Sequence, residues 1–119
     1  MFDTFFFPDV SFFDTLSQLT EERRLTIRSF KDKAAEAILA DEPLPRSFPS
    51  QIARVARRKL VHLDAANELR DLAFPPGNRL ETLRGDLAGR HSIRINDQYR
   101  IVFRWTDAGA EYVEIADYH

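Results

Sequence analysis

From Arg90 onward the chain alternates apolar and polar side chains with a period of two, and this pattern constrains its fold more than any other feature. His91, Ile93 and Ile95 alternate with Ser92, Arg94 and Asn96; Tyr99, Ile101, Phe103 and Trp105 alternate with Arg100, Val102 and Arg104. Successive side chains of a strand point to opposite faces, so each segment reads as a strand with one apolar face. Asn96-Asp97-Gln98 and Asp107-Ala108-Gly109 supply the turns. Tyr112 to Asp117, with Val113 and Ile115 on one face, makes the last strand, and Leu80 to Leu83 makes a short one ahead of the others. The expectation is an antiparallel meander whose second face carries Arg94, Arg100, Arg104 and Glu114.

Upstream the period changes to that of helices. Ser29-x-x-Asp32 reads as a capping box opening a helix whose Phe30, Ala34, Ala37 and Ile38 share a face. Pro43 and Pro45 end it. Pro49 fits the first turn of a second helix running to about Leu63, with Ile52, Val55, Ala56, Leu60 and Leu63 on one side and Arg54, Arg57 and Arg58 on the other. Lys59 falls inside the apolar arc and is expected to extend its ammonium outward along its stem. Asp64 is placed to cap a brief third helix through Leu72, closed by Phe74-Pro75-Pro76-Gly77. Thr26-Ile27-Arg28 suits a short strand. Helices followed by a meander make an α+β fold: two to three N-terminal helices packed on one face of a twisted, mainly antiparallel sheet of about four strands.

Composition narrows the class. The chain has 119 residues, the size of one domain, with 44% hydrophobic and 30% charged residues, ordinary for a soluble protein. No apolar run is long enough to span a bilayer, and the start lacks the basic region and cleavage site of a signal peptide. The absence of cysteine excludes disulfides and thiolate metal sites, and the cytoplasm is the expected location. His62, His91 and His119 show no metal-ligand spacing, so neither metal nor other cofactor is expected. His62 reads as a residue of the core edge. Charge is unevenly spread: residues 1–24 hold five acids against Arg23 and Arg24, leaving fifteen basic and fourteen acidic groups in residues 25–119. Bulk charge therefore does not make this a polyanion binder, and local clustering must. Residues 1–24 also hold six of the ten phenylalanines, with Ser11-x-x-Asp14, Phe12, Leu16 and Leu19 at helical spacing. They read as a Phe-rich extension with a short helix between Ser11 and Arg24, distinct from a domain over 25–119. So many phenylalanines must be covered by the domain or by a partner.

Several short words recur in one known family. They are Ile27-Arg28-Ser29-Phe30-Lys31; Arg57-Arg58-Lys59-Leu60 followed by Leu63-Asp64-Ala65-Ala66; Pro76-Gly77-Asn78-Arg79-Leu80; and Leu83-Arg84-Gly85-Asp86. Ser92-Ile93-Arg94-Ile95-Asn96, Tyr99-Arg100-Ile101 and the closing Asp117-Tyr118-His119 continue the series. In this order and spacing the chain, over residues 26–119, resembles the HigB branch of the RelE-type toxins. The resemblance implies a RelE-like single domain, a toxin of a type II toxin–antitoxin system that cuts mRNA in the decoding site of the ribosome, without a metal. It also implies a HigA-type helix-turn-helix antitoxin as partner, with a heterotetramer as one form of the complex, and no membrane association. Position by position it implies Arg84, Arg100, Asp117, Tyr118 and His119 as the functional set. Glu81 stands where some relatives carry a histidine of the site, and His91 where relatives often place an aromatic.

The residue types suit that chemistry. A metal-independent ribonuclease lets the ribose 2′-hydroxyl attack the adjacent phosphorus. The enzyme accepts that proton, neutralises the phosphoryl oxygens and protonates the leaving 5′-oxygen. Histidine titrates near neutrality, so His119 is the first choice for proton transfer. Asp117 or Glu81 serves as base, or Asp117 orients His119; the sequence leaves these open. Arg84 and Arg100 suit the phosphate, because a guanidinium donates two parallel hydrogen bonds and keeps its charge. Tyr118 suits stacking on an unpaired base or donating its phenol proton. Arg54, Arg57, Arg58 and Arg94 are further candidates for RNA contact, although arginines on exposed faces, Arg94 and Arg104 included, are more often a solvated surface. The rival reading is a catalytically weak or inactive module that binds antitoxin or ribosome, autoinhibited by residues 1–24. A plainer account of those residues is a start that merely packs on the surface.

Overall fold

The computed structural model describes residues 26–117 apart from 45 and 47. Its sheet contains β1 (Glu81–Thr82), β2 (Arg90–Arg94), β3 (Tyr99–Thr106) and β4 (Gly109–Asp117), ordered β1-β2-β3-β4 with every neighbouring pair antiparallel. Two α-helices precede it, α1 (Lys33–Ala40) and α2 (Ala53–Ala65). The meander and its two turns lie where the alternation puts them. The expected strand over Leu80–Leu83 shortens to two residues, because Leu83 is already turning into the 3-10 turn at Gly85–Leu87.

Both helices lie against the apolar face of the sheet. Ile93, Ile101, Phe103 and Val113 from the strands cluster with Ala35 and Ile38 of α1 and with Ala56, Leu60 and Leu63 of α2. Phe103 is the largest fully buried side chain of the described residues. Burying one such ring contributes roughly 1.5–3 kcal/mol relative to leaving it in water.

Three local expectations are corrected. Asp32 is not the third residue of a capping box but the N-cap of α1, its Oδ1 accepting from the Ala35 N–H at 2.8 Å. Ser29 and the other Asp32 oxygen serve β4 instead: Ser29 Oγ accepts from the Tyr112 N–H and Asp32 Oδ2 from the Ile115 N–H. Asp64 does not open a third helix. It lies inside α2, buried, with Oδ1 accepting from the Ile27 N–H at 2.9 Å. The third helical piece is a 3-10 turn at Leu69–Ala73, closed at its start by reciprocal bonds of Glu68 and Asp71. The Thr26–Arg28 strand is present only as isolated parallel bridges, Ile27 with Ala110 and Phe30 with Val113, along the outer edge of β4.

That edge carries one irregularity. Between Val102 and Arg104 the register of β3 and β4 shifts, so Tyr112 and Val113 together face Phe103. Tyr112 takes a left-handed φ of 53°. A bulky residue in that region costs on the order of 1–3 kcal/mol, which the surrounding structure must hold. The short helix expected between Ser11 and Arg24, and the whole Phe-rich extension, lie outside the described residues.

Candidate functional site

The sheet face turned away from the helices is where the sequence-derived candidates collect. Register places Arg94 directly opposite Arg100 and Arg90 directly opposite Arg104, with Ser92 and Val102 between them. Like charges facing each other across a ladder are unfavourable. Here two such pairs sit on one face, each supplied with carboxylates. Arg94 bonds Asp97, Arg100 Nη2 lies 3.7 Å from Glu81 Oε1, and Arg90 Nη1 lies 3.7 Å from Glu114 Oε2.

The face is less open than period two alone implies. Ser92 and Val102 are fully buried and Arg100 is only 9% exposed. Arg100 Nε donates to Ser92 Oγ at 2.7 Å and Nη2 donates to the Arg79 carbonyl at 2.6 Å. Two of its five N–H donors are thus engaged by the protein, fixing the guanidinium plane. Arg79, held at a φ of 46°, ends a 3-10 turn at Pro76–Asn78. That turn is held by Asn78, which is buried: its Nδ2 donates to the Leu72 and Phe74 carbonyls and its Oδ1 accepts from Lys59 Nζ. Lys59 therefore does not run outward as expected but turns to Asn78. Burial lowers its pKa below the usual lysine value, assisted by the positive charge of Arg58 and Arg94.

The remaining candidates separate. Glu81 stands beside Arg100. Arg84 is exposed and precedes the Gly85–Leu87 turn, beyond the end of β1, so it does not come from a strand next to β3. Asp117 pairs in register with Tyr99, which places it on the helix side of the sheet, opposite to Arg100; Gln98 Nε2 donates to its Oδ2 at 3.2 Å. Tyr118 and His119 lie outside the described residues. Arg54, Arg57 and Arg58 are exposed on α2, Arg54 and Arg57 lining a cleft that also holds Asp41 and Glu42. His62 Nε2 lies 3.2 Å from the Asp71 carbonyl, consistent with a packing role. His91, facing the helices beside Phe103, has its pKa lowered by burial.

Sequence reasoning missed Ser92, Asn78, Arg90 and Tyr112. The arginine pairs were recoverable by counting outward from the Asn96–Gln98 turn. Nothing in the sequence marks Asn78 as a buried link. Among the described residues no cluster of His, Asp and Glu is placed to hold a metal ion, and no helix is long and apolar enough to cross a membrane.

A two-helix layer on one side of a short antiparallel meander is the α+β architecture of the RelE-like fold. Residues 28–119 match the family model described as the RelE-like toxin of type II toxin–antitoxin system HigB. Toxin HigB-1 of Vibrio cholerae is 49% identical over 81 residues, covering 68% of this chain and 85% of the relative. Endoribonuclease HigB of Proteus vulgaris is 30% identical over 97 residues, covering 78% of this chain and 99% of the relative. The solved YoeB-YefM complex from Staphylococcus aureus superposes with a TM-score of 0.48 at 23% identity, over 81% of this chain and 98% of that one. The chain belongs to the HigB family of RelE-like toxins.

Proposed function

We propose that this protein is a ribosome-dependent endoribonuclease that cleaves mRNA through attack of the ribose 2′-hydroxyl, without a metal. The observation that carries the reading is the pair of opposed arginine rungs, with Glu81 beside Arg100. Four cations on two adjacent strands suit a phosphate chain, which would relieve their mutual repulsion. Membership of a family with a named endoribonuclease supports it.

Arg100, held by Ser92 and the Arg79 carbonyl, presents its remaining donors to the scissile phosphate without having to be ordered at the moment of reaction. Arg84 supplies a second cation from the exposed turn. Glu81 is the carboxylate beside Arg100 and accepts the 2′-hydroxyl proton, while Asp117, on the opposite face, has a supporting part. His119 protonates the leaving oxygen and Tyr118 stacks on a base. Arg54, Arg57 and Arg58 contact ribosomal RNA, while Arg94, opposite Arg100, adds to the cations that face the cleaved strand. The partner that silences the protein is a HigA-type helix-turn-helix antitoxin, assembling as a heterotetramer, and the setting is the cytoplasm.

A second reading, a module that binds without cutting, is favoured by one observation: the protein itself already takes two of the Arg100 donors. Cleavage of a defined mRNA on translating ribosomes separates the two. The enzymatic reading expects cleavage by the wild type and its loss in Arg100→Ala and His119→Ala, with antitoxin binding retained. Unchanged toxicity in both variants would sink the site assignment, and efficient cutting of naked RNA would count against ribosome dependence.

A further inference from the structure

The arginine face does not end at Arg100. At its far end Arg90 and Arg104 face each other, and the exposed ring of Tyr112 lies beneath Arg90, with the guanidinium carbon 5.7 Å from the ring centroid. Arg90 shares its face with Ser92, the partner of Arg100, so Tyr112 stands on the same side of the sheet as the cleavage site proposed above. Arg104 is exposed beside it. Lys31 and Arg90 both reach Glu114, at 3.3 and 3.7 Å, and Arg104 stands opposite Glu111 in the β3–β4 register, so this end sets three cations against two carboxylates.

Two details set Tyr112 apart from a chance surface aromatic. It is 46% exposed, one of few large hydrophobics so displayed among the described residues. It also occupies a left-handed conformation, φ 53°, where glycine or asparagine would fit with less strain. Its amide is held by Ser29 Oγ at 2.9 Å and its ring is covered on one side by Arg90. The fold thus keeps a costly residue in a place where packing does not require it.

We propose that Tyr112, Arg90 and Arg104 form a second nucleotide subsite, in which the ring stacks on a base of the mRNA flanking the cleaved bond and the arginines hold its phosphate. The proposal rests on the nuclease reading. Arg104 lies four residue steps along β3 from Arg100, about 13 Å at ~3.3 Å per residue, too far to grip the same phosphate. The bound strand therefore runs along the sheet from the cut toward Tyr112. A base stacked on an aromatic and flanked by guanidinium groups is a sequence-tolerant contact, so this subsite adds affinity more than codon choice.

The test uses the full-length protein and ribosomes translating a defined mRNA, either intact or carrying one abasic nucleotide at successive positions beside the cut. In Tyr112→Asn the KM for cleavage should rise about 5- to 100-fold, the size of one lost base stack, and the penalty for the abasic nucleotide at one position should vanish. Tyr112→Phe, which keeps the ring, should restore binding relative to Tyr112→Asn. The melting temperature of Tyr112→Asn should stay level or rise, because asparagine suits the left-handed backbone; a purely structural tyrosine would lower it. An unchanged KM, an abasic penalty equal to that of the wild type, or a loss confined to antitoxin affinity overturns the subsite. Arg100→Ala tells the two claims apart. If it too cleaves normally the nuclease reading of this face fails, whereas if it is dead and Tyr112→Asn keeps the wild-type KM, only the subsite falls.

Discussion

The two faces of the sheet bury residues by opposite means. On the helix side Ile93, Ile101, Phe103 and Val113 are closed off by apolar side chains of α1 and α2. On the other side Ser92, Val102 and Arg100 are closed off too, but the polar groups there are held by directed bonds. An apolar face tolerates any neighbour of the right volume. A face of fixed guanidiniums tolerates only groups that match its donors. The first kind of burial makes a fold and the second preserves a geometry, so damage to each should read out differently.

The largest effect belongs to the helix side. Phe103→Ala should cost about 3–5 kcal/mol of stability by leaving a cavity that the core cannot fully close, measured by urea unfolding. Next comes Arg100→Lys. An ammonium cannot keep Ser92 Oγ and the Arg79 carbonyl while still facing a phosphate. Single-turnover cleavage should fall about 10²–10³-fold, the size of a lost transition-state donor, while the melting temperature should drop by less than in Phe103→Ala. Equal damage to stability and rate would erase the contrast between the faces. Asn78→Ala should fall between the two kinds, costing about 1–3 kcal/mol because the Leu72 and Phe74 carbonyls and Lys59 lose a buried partner. Cleavage should drop with it, since the Arg79 carbonyl is the next residue along.

The smallest effect is a pH dependence. Burial raises the Asp64 pKa above its usual 3.8, outweighing the amides of Ile27 and Thr26 and the charge of Arg28. The folded state therefore holds this proton more tightly than the unfolded chain. The stability from Asp64 is fully present below about pH 3.8 and is lost as pH rises through the raised folded value. Asp64→Asn keeps an acceptor for the Ile27 N–H, so its stability relative to the wild type should improve from about pH 3 to about pH 7. Denaturant midpoints across that range check the sign, and a difference that moves the other way would show that the hydrogen bonds outweigh burial.

Much of this fold was legible. The period-two segments, both turns, the second helix and the α+β layering follow from where Ile, Val and Phe recur, because burial against one neighbour enforces a period. The misread pieces are those decided by single polar side chains. Ser29 and Asp32 look like a capping box, yet Ser29 Oγ and one Asp32 oxygen serve β4, eighty-three residues away in sequence, while the other Asp32 oxygen caps α1 as its N-cap. Lys59 looks like a residue that extends to water, and instead meets Asn78. A distant hydrogen bond leaves no local pattern, so these partners could not be read ahead. For the site, the family words picked out Glu81 and Arg100, which the fold brings together, but also put Asp117 in the same set, which strand alternation turns to the other face.

The short segment ahead of α1 has a consequence for assembly. Along the outer margin of β4, the Ala110 N–H goes to the Thr26 carbonyl, that of Tyr112 to Ser29 Oγ, that of Val113 to the Ser29 carbonyl and that of Ile115 to Asp32 Oδ2. The opposite margin, β1, has only two residues. An unguarded strand is a template on which another chain can crystallise into a shared sheet. Among the described residues neither margin offers one of useful length, so this part of the chain presents no long open strand for a second chain to extend.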